Sequence, residues 1–429
     1  MTEKVYPQLG ENVFWETLEN GLTVAVVPKP GFSKKLCYFV TDYGAIHTHF
    51  TEDGKQIAAP AGIAHYLEHK MFDMPEGEVS SQFAAIGADV NAFTSYDMTA
   101  YYFSCTGQFE KALSLLLEFV STPYFTKESV QKEQGIIGQE IEMNVDSPDT
   151  AVFERLMGCM YENHPINTPI LGTRESIAEI TPEVLYQCHK AFYSPENMLL
   201  CVVGDVDPER VCTIAREILP KEKKEKTPRI DRWEEPETVL YHSTETEMEV
   251  AMPLFQIGFK CPDPGRGEAA VRQEFVADLA CEALFGESSD LYLRMYEEGI
   301  IDNSFGGGFE TVSGMGMLSI SGDSDHPEKV RQAIIAQAQR LCREGIPEES
   351  LLRMKRSALG RRIRALDSFS SLIFRICAYY FSGFDYLQFP TIYERITANE
   401  LTDFLYAAVR EENCAISIIR PIINKEKKK

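Results

Sequence analysis

The chain is poor in several things that would point to other kinds of protein. Its 429 residues include 8 histidines and 2 tryptophans, and its 11 cysteines form no Cys-x-x-Cys pair. That leaves out metal and redox motifs built on such a pair. The cysteine count is odd, and Cys201 in Leu199-Leu200-Cys201-Val202-Val203 reads as a small core residue. A reduced cytoplasmic protein is the expectation. There is no basic excess: 42 Lys and Arg face 65 Asp and Glu, a formal charge of −23. A nucleic-acid surface is therefore excluded, since no basic field remains to release counterions. The acidity reads as solubility, or as a chamber that draws in basic peptides. No apolar run is long enough to span a membrane, and Met1-Thr2-Glu3-Lys4-Val5 is polar with no apolar segment behind it. Neither a secretory signal nor a membrane partner is expected.

What is present is ordinary in bulk, 44% hydrophobic and 25% charged, and long enough for two or three domains. The informative stretch runs from Ala61 to Phe72. On a helix, His65, Glu68 and His69 share about one turn of one face. Two neutral imidazoles at that spacing can hold a tetrahedral zinc, and a carboxylate between them can take a proton from water. Ile63, Ala64, Leu67, Met71 and Phe72 give the helix an apolar surface, so the polar trio points into a cleft. The order His-x-x-Glu-His is the inverzincin motif. By chance it is expected in roughly one or two such chains per hundred.

Along the chain, residues 1–20 read as an irregular lead-in. Leu22–Val27 and Leu36–Val40 read as strands, and 44–60 as a polar loop before the His65 helix. A short helix at 80–86, strands at 88–95 and 98–105, and a helix at 109–120 follow. Lys127–Asn144 is a long helical pattern carrying Glu128, Glu133, Glu140 and Glu142. Glu133 and Glu140, two turns apart on one face, could supply a third metal ligand. Gly135 and Gly138 each cost about 1 kcal/mol relative to Ala, which suggests close approach of another helix, the metal helix first among candidates. Helices at 150–162 and 181–193, a strand at 197–204 and a helix at 207–219 complete the first half.

Residues 220–238 are charged, poor in apolar residues and carry three prolines. They read as a linker between domains 1–219 and 239–429. The second half repeats the order strand-strand, helices, strand-strand, helices, strand, and ends in a basic tail at 425–429. The fold class is therefore α+β, a duplicated unit with a mainly antiparallel sheet covered by helices. The second half has no counterpart of His65, Glu68 or His69, so the chemistry belongs to the first.

With these motifs the chain resembles the insulinase/pitrilysin metallopeptidases, in the bacterial branch related to the mitochondrial processing peptidase. The resemblance extends over nearly the whole chain. It takes in Asn20–Val24, Gly62–Phe72, Asn91–Thr94 with Thr99–Tyr101, Glu133–Met143, His164-Pro165, Leu171–Thr173, Tyr193–Met198 and Val203–Asp205. It implies two α/β-roll domains forming half of a clamshell, and one zinc per chain held by His65, His69 and Glu140. Glu68 would be the general base and Glu133 a second glutamate supporting catalysis without binding metal. The substrate, an unfolded peptide or leader segment, would add as an extra strand to Asn91, Ala92, Phe93 and Thr94.

One departure bears on partners. Members that complete the site themselves carry Arg and Tyr in their second domain, in a context like Leu-Arg-x-x-x-Gly-x-x-Tyr. Aligned on Gly299, those positions are Met295 and Asp302; a shift by one restores Arg294 but places Ile301 at the Tyr. The chain thus resembles the zinc-bearing member of two-gene bacterial pairs, whose zinc-less homologue supplies the missing groups in a heterodimer. A homodimer is the alternative assembly, and a non-catalytic scaffold of the same fold the alternative function.

Overall fold

The computed structural model describes residues 1–422 apart from 53, 76, 224–227 and 232. The basic tail at 425–429 lies outside the described residues. Strands open the chain: β1 (Thr2–Tyr6), β2 (Glu11–Thr17), β3 (Thr23–Pro28), β4 (Lys35–Thr41), β5 (His49–Glu52) and β6 (Lys55–Ala58). After helix α1 (Ile63–Met71) come the short strands β7 (Asp73–Met74) and β8 (Gly77–Glu78), then α2 (Ser80–Ala85), β9 (Ala88–Thr94) and β10 (Thr99–Cys105). Helices α3 (Phe109–Ser121), α4 (Lys127–Val145), α5 (Pro148–Met160), α6 (Arg174–Ala178) and α7 (Pro182–Phe192) lead to β11 (Met198–Gly204), α8 (Pro208–Ile218) and β12 (Arg229–Ile230). The second half runs β13 (Ser243–Met248), β14 (Leu254–Cys261), α9 (Gly267–Phe285), α10 (Asp290–Glu297), β15 (Gly306–Val312) and β16 (Met315–Asp323). Helices α11 (Pro327–Glu344), α12 (Glu348–Ala365), α13 (Phe369–Phe381), α14 (Phe389–Arg395) and α15 (Ala398–Ala408) precede the closing strand β17 (Cys414–Pro421).

Two sheets carry the fold, in the orders β1-β2-β3-β11-β4-β10-β9 and β13-β17-β14-β16-β15. The last five strands of the first match the second one for one. In each, one pair is parallel, β3 with β11 and β13 with β17, and the others are antiparallel. The chain is thus an α+β protein made of two homologous units. The first sheet packs on a core that includes Val24, Val26, Phe39, Ile63, Leu67, Tyr101, Leu116, Ile137, Leu185 and Val202.

Two segments differ from the expected course. Residues 1–20 are not irregular, because β1 and β2 extend the first sheet. Four of the five β1 residues are exposed, so the segment shows no apolar face to read. Residues 44–60 hold the β5–β6 hairpin rather than a polar loop throughout. Three of the four β6 residues are exposed, which explains the polar composition.

The chain divides into two compact units: Met1–Ile141, Pro169–Asp231 and Ile363–Gln388, then Glu142–Thr168, Arg232–Arg362 and Phe389–Lys429. They differ from a cut at 220–238 by an exchange of segments. Helix α5, from the first half of the sequence, packs on β13, β14 and β17. Gly258 of β14 makes room for it, since a Cβ there would stand 2.2 Å from the Met160 sulfur. Helix α13, from the second half, packs on β4 and β11. Its Tyr380 hydroxyl donates to Thr23 Oγ1 at 2.8 Å and its ring stacks on Trp15. Periodicity shows that such helices exist but not which sheet covers their apolar faces.

All eleven cysteines are free and ten are buried. No helix among the described residues is long and apolar enough to cross a membrane.

Candidate metal centre

Helix α1 is short and almost wholly buried; of its nine residues only His69 is partly exposed. Ile63, Ala64, Tyr66, Leu67 and Met71 hold it in the core, and Ala, Leu, Glu and Met favour the helix itself. Its start is fixed by close backbone approach. Gly62 has φ +87°, and a Cβ there would lie 2.4 Å from the Leu171 carbonyl oxygen. A Cβ on Gly172 would lie 2.5 Å from the Ala61 carbonyl oxygen. Only glycine fits these two positions without displacing backbone. Ser176 Oγ of α6 donates to that Ala61 carbonyl at 2.8 Å, so the first turn of α6 and the loop before it clamp the entry to the helix. From α1, the Tyr66 hydroxyl donates to the Val130 carbonyl of α4.

This scaffold brings His65, His69 and Glu140 together, with one ligand atom from each lying within 4.8 Å of the others. His65 Nε2 is 3.7 Å from Glu140 Oε1, and His69 Nε2 is 3.6 Å from Glu140 Oε2. These two separations are close to the spacing of donor atoms around a tetrahedral zinc, about 3.3 Å. Behind it, His69 Nδ1 lies 3.1 Å from Glu133 Oε1. Glu68 is 8% exposed and accepts a 2.6 Å hydrogen bond on Oε2 from Thr94 Oγ1. His65 Nδ1 is buried with no hydrogen-bond partner among the described residues.

The electrostatics suit a cation. Burial, then the neighbouring His69 ring, push His65 down to about 3, which keeps it neutral as a metal ligand must be. Burial also pulls on His69, but its bond to Glu133 and the charges of Glu68, Glu133 and Glu140 outweigh that and raise it. Burial raises Glu68 above the usual carboxylate range, with the Thr94 bond opposing. Glu133 and Glu140 stand against the two imidazoles with Glu68 beside them, a gathering of carboxyl groups that would attract a divalent ion. The donor set, two nitrogens and a carboxylate with a carboxylate orienting one ring, fits zinc. Glu133→Gln should weaken zinc binding by about 10–100-fold, read by competition with a chromogenic chelator. Unchanged affinity would mean that Glu133 does not orient His69.

Asn91, Ala92, Phe93 and Thr94 lie on β9, the last strand of its sheet, paired on one side with β10. The Ala92 N–H donates to Asn91 Oδ1 at 2.8 Å, so Asn91 caps a donor of this edge strand. The side-chain bond from Thr94 to Glu68 was not anticipated from sequence. Its only signal was register, since Thr94 pairs with Thr99 and strand residues alternate faces.

The glycines of α4 do not admit α1. A Cβ on Gly135 would meet nothing within 4 Å, and one on Gly138 would meet Arg174 Nη1 at 2.8 Å. Val130 and Ile137 face the core instead, and the site is joined through polar side chains. In the second unit, Met295 is a core residue 2% exposed, and its carbonyl accepts the Ile300 N–H at 2.9 Å. Asp302 Oδ1 accepts from Ser304 Oγ at 2.6 Å and Ser304 N at 2.8 Å, bonds that hold it below the usual range. Arg294 and Tyr296 are exposed.

Residues 56–174 match the family described as Insulinase (Peptidase family M16), and residues 179–358 match the Peptidase M16 inactive domain. The protein called uncharacterized zinc protease YmfH, from Bacillus subtilis (strain 168), is 37% identical over 97% of this chain and 98% of its own. The chain belongs to the M16 peptidase family. A second relative by sequence, called uncharacterized zinc protease YmxG in the same organism, is 28% identical over 73% of this chain and 76% of its own. Among solved structures, an M16-like peptidase from Alicyclobacillus acidocaldarius superposes with a TM-score of 0.93 at 33% identity, covering 97% of this chain and all of that one. A protease from Helicobacter pylori shares the fold, with a TM-score of 0.81 at 19% identity over 95% of this chain and 99% of that one. Within this M16 chain, the His65, His69 and Glu140 cluster lies on α1 and α4, both inside the single span that the insulinase match covers.

Proposed function

We propose that this chain is a zinc-dependent endopeptidase, with one zinc held by His65, His69 and Glu140. The observation that carries the reading is the convergence of those three side chains beside a buried carboxylate, Glu68, that is not one of them. Zinc bound there supplies a Lewis acid and lowers the pKa of water toward neutrality. Glu68 takes a proton from the attacking water and returns it to the departing amine nitrogen. Glu133 orients His69 from behind. The substrate is an unfolded peptide or a leader segment, laid along β9 as an added strand. Backbone pairing of that kind tolerates varied side chains.

The zinc-bearing chain is also proposed to act as one half of a heterodimer. Met295 is committed to packing and Asp302 to a turn, so neither position offers the cationic or hydroxyl donor that would steady an oxyanion. A zinc-less homologue would supply it.

The direct test is hydrolysis of an unstructured peptide, lost on chelation and restored by zinc; a fully loaded chain and its complexes that cleave nothing would contradict the reading. Ala92→Pro tests the strand. It removes the Ala92 donor and disfavours extended pairing, so hydrolysis should fall by about tenfold or more at unchanged zinc content. Unaltered kinetics at full metal loading would count against substrate pairing on β9.

A further inference from the structure

Thr94 stands at the end of the edge strand, yet its hydroxyl is turned inward. It donates to Glu68 Oε2 at 2.6 Å. A threonine hydroxyl has a single proton, so this bond uses it and leaves Glu68 Oε1 without a claim from Thr94. Across the ladder, Thr94 pairs with Thr99 of β10, whose Oγ1 lies 3.4 Å from Thr94 Oγ1. Thr99 in turn donates to the Tyr43 carbonyl at 2.8 Å. The Thr94 side chain is thus set between a fixed strand and the carboxylate on α1. We propose that Thr94 is a positioning residue for Glu68. It holds Oε2 so that Oε1 carries the proton transfer, and it links the base to the strand along which peptide is laid.

The inference rests on the peptidase reading above, and its test keeps the two apart. Thr94→Val removes the hydroxyl at nearly constant shape, and Thr94→Ser retains it. In Thr94→Val, kcat should fall by about 100-fold with KM within twofold and zinc content unchanged, the size expected when a reacting group is misplaced. Thr94→Ser should recover most of the rate. Peptide affinity, read by fluorescence anisotropy in a Glu68→Gln background, should be the same with and without Thr94→Val. A raised KM and weakened affinity with kcat preserved would make Thr94 a substrate contact and overturn the proposal. So would a serine variant as slow as the valine. The second readout needs no turnover: in crystals of zinc-loaded Thr94→Val, Glu68 should leave its wild-type rotamer. An unmoved Glu68 overturns the proposal even in a chain that cleaves no peptide, a result that by itself would count against the peptidase reading alone.

Discussion

Glu68→Gln should keep its zinc and lose about a thousandfold in peptide hydrolysis, within the range general acid–base catalysis contributes. The substitution is close to isosteric, so α1 should keep its packing. The amide can still accept the Thr94 hydroxyl, which leaves the hydrogen bond at that end intact. It cannot take a proton from water. Glu68 is not among the three clustered ligand residues, so metal content should not follow activity. Parallel assays of zinc stoichiometry and kcat on one preparation separate the two quantities. Normal turnover by Glu68→Gln would remove the base from the mechanism, and loss of zinc would make Glu68 a ligand.

The second large effect concerns assembly. The isolated, zinc-loaded chain should hydrolyse peptide slowly, and a one-to-one complex with a zinc-less homologue carrying the Arg and Tyr should be faster by two to three orders of magnitude. Loss of a single oxyanion donor costs about 2.7–4 kcal/mol in the transition state, which is that range in rate. Neither of the two positions in this chain carries such a donor. Met295 is buried, and Asp302 is an anion already bonded twice to Ser304. A homodimer would bring a second copy with the same residues. Co-expression with the neighbouring homologue, purification of the complex and comparison of kcat per zinc test this. Robust activity of the chain alone, indifferent to any homologue and abolished by Arg294→Ala, would contradict the heterodimer.

The metal helix was legible because its information is local. Three polar residues at helical spacing, among apolar neighbours, define both the element and the face on which His65, Glu68 and His69 lie. The Glu133 and Glu140 spacing placed a second helix beside it for the same reason, and the structure sets both carboxylates against His69. What was not legible depended on contacts between distant segments. Gly135 and Gly138 suggested a helix crossing, whereas Gly62 and Gly172 make the close approach that anchors α1, between loops far apart in sequence. Strands β1 and β6 expose most of their residues, so no alternation marked them. The exchange of α5 and α13 between units follows from packing choices such as the space left by Gly258, which no periodicity encodes. Its neighbours in the sequence group Thr94 with Asn91, Ala92 and Phe93 on β9, whereas its side chain bonds to Glu68 on α1.

His65, His69 and Glu140 are proposed to form one metal site. Zinc per chain, measured by elemental analysis on wild type and on Glu140→Gln purified and dialysed side by side, tests it most directly. Wild type should hold close to one zinc, and Glu140→Gln markedly less, as should His65→Ala and His69→Ala. If Glu140→Gln retains zinc like wild type, the third ligand is not Glu140, and Glu133 and Glu142 become the residues to replace.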